Sequence, residues 1–375
     1  MATLHIFNPE HDIALASNLA NFTAPHAGRQ LRADLGYLPA LWAKEDDAIY
    51  VDNVEYAEKA FRRVMRKPVK RTFVASPTQV DDISPWGWDK ALRAELKRKG
   101  CDESLLPTDD QLSHIRQLSH RRTAASLLPL LQADYTVGES YECREEAEVE
   151  ELLARHGQVV MKAPWSSSGR GLRFLSKERT PFVMQAGWFR NLVERQGSVM
   201  VEPYYNKVKD FGMEFSADGE GHITYEGLSL FHTQNGAYVG NILATEHTKR
   251  ETISRYIPVE WIDEVKEKII RHLDLGAYSG PFGIDMMIVN QGNHISQLSP
   301  LNSHLSLHPC VEINLRMNMG ITAMAAYRCP FLFFDLEEDS EGAVLRSSAF
   351  SSPERRRERG FHTLLKSRFI SIIYS

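Results

Sequence analysis

The sequence predicts an α/β protein of more than one domain, and three observations carry that prediction. Short β-branched runs alternate with helical patterns near the N-terminus, the signature of strands joined by crossover helices. The chain has 375 residues with 43% hydrophobic content, enough for more than one core. Further on, two strand-like runs each carry isolated polar residues, Asp285 in one and Glu312 with Asn314 in the other.

The elements follow in order. Residues 4–7 read as a first strand, after which Asn8 is expected to cap a helix with Pro9 at its first position. Residues 48–51 and 72–75 read as further strands, and residues 54–66 and 88–99 as helices, giving a small α/β unit with a parallel sheet. No Gly-x-Gly-x-x-Gly turn follows the first strand, so no dinucleotide is expected there. A helix opens near residues 119–123 and a charged one runs over 145–155. Strands are expected at 159–162, 199–202, 213–217 and 222–231, with a turn at Asp218-Gly219-Glu220-Gly221. An amphipathic helix over 261–273 precedes the Asp285 and Glu312 strands, and a last helix covers 321–327. There are no internal repeats.

Composition narrows the function classes. The net charge of −5 gives no reason to expect a nucleic-acid partner. Cys101, Cys143, Cys310 and Cys329 are widely spaced with no Cys-x-x-Cys, which points to reduced thiols rather than a zinc knuckle or disulfide framework. No segment is apolar enough to span a membrane, and the N-terminus lacks a basic, signal-like start, so a cytoplasmic protein without membrane contact is expected. The arginines Arg355, Arg356, Arg357 and Arg359 read as a solvated basic tail, contact with an anionic partner being the alternative.

Three stretches carry chemistry. In Glu312-Ile313-Asn314-Leu315-Arg316, strand alternation would project Glu312, Asn314 and Arg316 on one face. With Asp285, otherwise costly to bury, these suit a hard cation holding an anion, and oxygen donors favour Mg²⁺. In the second stretch, Lys162 precedes a loop of Ser166, Ser167, Ser168, Gly169, Arg170 and Gly171, whose backbone N–H groups can approach phosphate. The lysine precedes the glycines, unlike a Walker A loop. Glu202-Pro203-Tyr204-Tyr205 at a strand exit offers backbone groups and aromatic surface to a base.

In this order, the lysine with its small-residue loop, the Glu-containing hinge, the strand aspartate and Glu-x-Asn-x-Arg resemble the ATP-grasp superfamily over roughly residues 119–330. The resemblance implies an α+β ATP-grasp core of two subdomains over 119–330, a pre-grasp α/β domain over 1–118 and a C-terminal extension over 331–375. It implies ATP with two Mg²⁺ ions, Mn²⁺ being the alternative. Asp285, Glu312 and Asn314 would hold the metal, Lys162 the α- and β-phosphates, and Arg316 the transferred phosphoryl group. Arg121 or Arg122 would contact the nucleotide, and residues 166–171, with Ser167, Ser168, Gly169 and Gly171, would close over it. Glu202 and Tyr204 would meet adenine, and Glu214 or Asp210 the ribose. The implied activity is a ligase joining a small carboxylate to an amine through an acyl phosphate, with a kinase and a non-catalytic nucleotide-binding regulator as alternatives.

Three segments stay open. Asn8, Glu10, His11 and Asp12 follow the first strand, where open α/β sheets bind ligands, though a helix start also explains them. Residues 231–241 could line a pocket or form a plain hairpin. Residues 290–308 hold His294, His304 and His308. The last two would share a face if helical and could bind metal, while Pro300 and Pro309 argue for a loop.

Overall fold

The computed structural model describes residues 2–65, 68–77, 80–166, 171–234, 237–292 and 304–328, together with three short strands beyond them. The fold mixes helices with parallel and antiparallel sheets. The chain forms two compact units. The first is Met1–Arg116 with Ser229–Thr245 and Leu315–Ser375, and the second is Gln117–Leu228 with Glu246–Asn314.

The first unit opens with β1 (Thr3–Ile6), α1 (His11–Ser17), α2 (His26–Leu35), β2 (Ala48–Tyr50), α3 (Val54–Val64), β3 (Thr72–Val74), β4 (Asp82–Pro85), α4 (Lys90–Arg98) and α5 (Asp109–Leu118). The strands form a parallel sheet in the order β3-β2-β1-β4, as strand–helix alternation predicts. Strand alternation divides the apolar residues between two cores. Leu4, Ile6, Ala48 and Tyr50 pack with Leu92 and Leu96 of α4, while Ile49 and Phe73 pack with Ala57, Phe61 and Val64 of α3. Both helices are capped by their own sequence. Asn53 accepts from the Tyr56 N–H, and Asp89 from those of Ala91 and Leu92, each at 2.9 Å.

Asn8 does not cap α1, which begins at His11. Its amide is used elsewhere, donating to the Gly87 carbonyl at 2.8 Å and accepting from the Gly87 N–H at 3.3 Å. Gly87 can only be glycine here, because a Cβ would lie 2.6 Å from the His11 ring. The pair fastens the segment after β1 to the segment after β4.

The second unit begins with α6 (Arg122–Leu127), β5 (Tyr141–Cys143), α7 (Glu146–His156), β6 (Gln158–Lys162), β7 (Leu172–Ser176), α8 (Ala186–Gln196) and β8 (Val199–Pro203). These strands make an antiparallel sheet in the order β5-β8-β6-β7. Its core joins Val159, Met161, Val199 and Val201 to Val149 and Leu153 of α7 and Phe189 and Leu192 of α8. Next come β9 (Lys207–Asp218) and β10 (Ile223–Gln234), the latter ending in the first unit, where β11 (Ala237–Leu243) pairs with it. The second unit resumes with α9 (Glu246–Ser254), α10 (Val259–His272), β12 (Ser279–Asn290) and β13 (Leu305–Asn314), its second sheet running β13-β12-β9-β10. Back in the first unit, α11 (Met319–Arg328) sets Ala323 and Ala326 into the α3-side core. The strands β14 (Leu336–Asp339), β15 (Gly342–Leu345) and β16 (Ser371–Tyr374) extend the sheet from β11.

The segment before Glu312 departs from expectation. His308 and Pro309 belong to β13, so His308 is neither in a loop nor on a shared helix face with His304. Pro309 is tolerated because β13 is an edge strand with a register shift at that point. His294 and the arginine-rich tail lie outside the described residues. No described helix is long and apolar enough to cross a membrane.

Candidate nucleotide and metal site

The register of β9, β12 and β13 assembles an acidic face. Asp285 is paired with Gly212 on one side and Glu312 on the other, while Gly283 is paired with Glu214 and Asn314. Directly paired residues share a face, so two adjacent ranks read Gly212–Asp285–Glu312 and Glu214–Gly283–Asn314. Acids and glycines thus alternate across the strands. A Cβ on Gly212 would sit 3.5 Å from Asp285 Oδ1 and 3.8 Å from Glu214 Oε1, so the glycine keeps open the space between the two carboxylates. Asn314 Nδ2 donates to Asp285 Oδ2 at 3.1 Å. Glu214 is buried, and Asp210, one rank further along β9, is paired with Lys207 at 2.5 Å.

One arginine meets this acidic face directly. Arg121 is buried and its guanidinium reaches Glu312 Oε1 at 2.8 Å while Nε donates to the Ala163 carbonyl at 3.0 Å. Arg122 instead pairs with Glu142 at 2.9 Å and is half exposed. Lys162 ends β6 and forms a buried ion pair with Glu202 of β8, the strand beside it. Glu202 also accepts from the Ser140 hydroxyl at 3.2 Å. Beyond Glu202, Tyr204 is 50% exposed with its ring edge against the equally open Phe174 of β7, an aromatic surface at the strand exit. Of the small-residue loop, Ser166 and Gly171 are described and touch, leaving no room for a Cβ on Gly171. Ser167, Ser168 and Gly169 lie outside the described residues.

Known folds provide the next comparison. The chain is similar in structure to several solved proteins, one of them described as an ATP-grasp protein. That one is the RimK domain protein ATP-grasp from Sphaerobacter thermophilus, at 13% identity and TM-score 0.41, covering 89% of this chain and 100% of the other. N5-carboxyaminoimidazole synthetase from Staphylococcus aureus complexed with ADP is matched at 13% identity and TM-score 0.46, over 99% and 91% of the two chains. D-alanyl-alanine synthetase A from Vibrio cholerae is matched at 12% identity and TM-score 0.42, over 87% and 91%. No family model and no curated sequence matches.

Some sequence expectations are redistributed. Arg316 does not share a strand face with Glu312 and Asn314, because β13 ends at Asn314. Its guanidinium instead grips Asp12 of the first unit, with contacts of 2.7–3.1 Å. Two residues that sequence reasoning did not place here are His308 and Cys310, upstream of Glu312 on β13. His308 is fully buried, its ring edge meets Tyr205, and neither ring nitrogen has a hydrogen-bond partner among the described residues. Burial pushes its pKa down to about 4, with Lys162 adding to the effect and Glu202 opposing it. Burial also pushes the Cys310 thiol up, reinforced by the fields of Glu202 and Asp285. Alternating polar residues on β13 were the available signal, hidden by Pro309.

Among the described residues, the one group of three acid or imidazole side chains close enough to share a metal is Asp218, Glu220 and His222. All three are exposed on the β9–β10 turn, where Asp218 is already bonded to the His222 ring and the turn's own N–H groups. At Asp285 and Glu312 the donor set is two carboxylates and an amide, chemistry suited to a hard divalent cation such as Mg²⁺.

Proposed function

We propose that the chain is an ATP-dependent carboxylate–amine ligase of the ATP-grasp type, with Mg²⁺ as its metal. The observation that carries this is the acidic face of β9, β12 and β13 facing Arg121, with the buried Lys162–Glu202 pair in the same unit. Asp285, Glu312 and the Asn314 amide oxygen would hold Mg²⁺, which would neutralise phosphate charge. Arg121, rather than Arg122, is the nucleotide arginine in this reading, because it already neutralises Glu312 and can turn to phosphate when metal takes that carboxylate. Lys162 would bind the α- and β-phosphates, the adenine would lie at Glu202 and Tyr204, and buried Glu214 is preferred to Asp210 as the ribose acid. Arg316 is left out, since Asp12 occupies its guanidinium.

Phosphoryl transfer is mostly positioning and charge stabilisation. A substrate carboxylate oxygen would attack the γ-phosphorus, releasing ADP and giving an acyl phosphate. An amine would then attack the acyl carbon, expelling phosphate and losing a proton, to leave an amide. The residue 166–171 loop would exclude water, which otherwise hydrolyses the acyl phosphate. The test is ATP consumption with Mg²⁺ against pools of amino acids and small carboxylic acids, with mass spectrometry of the products. Phosphate release with a new condensed mass, both lost in Glu312→Ala, is expected. A stable phosphoester without condensation would overturn the ligase in favour of a kinase.

A further inference from the structure

A buried guanidinium must have its donors satisfied, and Arg121 meets that demand through residues distant in sequence. Nε donates to the Ala163 carbonyl at 3.0 Å, while Nη2 lies 3.4 Å from Ser166 Oγ and 2.8 Å from Glu312 Oε1. The Arg121 backbone N–H also donates to the Pro164 carbonyl at 3.3 Å. One residue is thereby tied, at backbone and side chain, to the root of the small-residue loop, and its tip ends on a candidate metal ligand.

A long side chain is held in one pose only where the chain on both sides of the contact is itself fixed, because its rotamer entropy opposes the pose. The next residue along each segment supplies that fixing. His120 is buried, and its Nδ1 accepts from the Arg122 N–H at 3.0 Å, at the start of α6. Its Nε2 lies 3.0 Å from the Arg122 guanidinium and 3.4 Å from the hydroxyl of Ser198, which is fully buried. The imidazole meets the ring of Trp165 at 82°, with centroids 4.7 Å apart, an arrangement that aromatic pairs favour. Trp165 is buried as well, and its backbone N–H donates at 3.2 Å to Oε1 of Gln196, the last residue of α8. Residues 120–122 and 163–166 are therefore joined twice, by the bonds of Arg121 and by the His120–Trp165 ring contact.

We propose that His120 and Trp165 are positioning residues, whose ring contact sets the root of the phosphate loop against the start of α6 and so holds the Arg121 guanidinium where it reaches both Ser166 and Glu312. The inference rests on the nucleotide role given to Arg121 above. A guanidinium held in this way need not be ordered when phosphate arrives, so loosening it weakens nucleotide binding. The test is calorimetric titration of the full chain with ATP and Mg²⁺, and separately with adenosine, for the wild type, His120→Asn, Trp165→Leu, Trp165→Phe and Arg121→Met. His120→Asn keeps an acceptor for the Arg122 N–H, and Trp165→Phe keeps a ring. His120→Asn and Trp165→Leu should each weaken ATP about tenfold and leave adenosine affinity unchanged, while Trp165→Phe stays near the wild type. On the Arg121→Met background, Trp165→Leu should cost nothing further, because the ring acts through the guanidinium. ATP affinity unchanged in both variants, equal losses for ATP and adenosine, or the same tenfold loss with Arg121 already removed would overturn the inference and leave the nucleotide site standing. A wild type that binds no ATP with Mg²⁺ would instead remove the function proposed above, and the positioning role with it.

Discussion

Lys162 shows how much one residue can hold in place. Its ammonium and the Glu202 carboxylate are both buried and depend on each other. Removing one partner strands the other charge, so Lys162→Met should cost about 3–5 kcal/mol in urea unfolding. Adding Glu202→Leu should recover most of that loss, because a well-packed apolar pair can replace an ion pair. A single-variant loss well under 1 kcal/mol would mean that the pair is not desolvated. His308 makes a second prediction, with a definite sign. Its folded pKa of about 4 lies below the ordinary histidine value of 6.5, so between these values the unfolded chain binds more protons than the folded one. Stability from this group is therefore fully present above pH 6.5, falls as pH drops, and levels off below pH 4. The loss amounts to about 3 kcal/mol. Urea titrations of the wild type and His308→Phe at several pH values should show that slope only in the wild type. Parallel slopes would remove the argument.

Among the elements, α4 is held at its start by one side chain. Asp89 accepts from two N–H groups of its first turn and also faces Asn8 and His11. Asp89→Ala should lower stability by about 1–2 kcal/mol for the cap, and more for the buried groups left without it. Asp89→Asn, which keeps the cap, should lose less. Equal melting temperatures for wild type and Asp89→Ala would show that the helix start is held by other contacts. The elements also show what was legible in the sequence. β6, β12 and β13 announced themselves through apolar runs broken by lone polar residues, and α3 through its i, i+3, i+4, i+7 apolar spacing. β4 did not, because Asp82-Ile83-Ser84-Pro85 has one apolar aliphatic residue and a proline, and its place in the sheet comes from parallel pairing with β1. Asn8 looked like a cap because residue type suggests capping, but its bond to Gly87 spans a distance in sequence that local pattern cannot see. Arg316 was assigned by alternation to a strand that stops two residues earlier.

At the scale of the whole molecule, each compact unit has its own core. Thermal unfolding can therefore report on them separately. A ligand that binds only the folded form stabilises by mass action, by about 2.7 kcal/mol at a hundredfold excess over Kd. For domains of this size that corresponds to a rise of roughly 5–10 °C in the transition that includes the second unit. The rise should need metal. Asp285, Glu214 and Glu312 present negative charge where ATP would bring more, and Arg121 and Lys162 are already engaged by carboxylates. ATP with EDTA should therefore shift the transition little, and restoring Mg²⁺ should restore the shift. Asp285→Asn combined with Glu312→Gln should remove the metal requirement along with two of the repelling charges, leaving a small shift indifferent to EDTA. An equal, large shift for the wild type with and without EDTA would show that nucleotide binds independently of metal, and Asp285, Glu312 and Asn314 would lose the role given to them here.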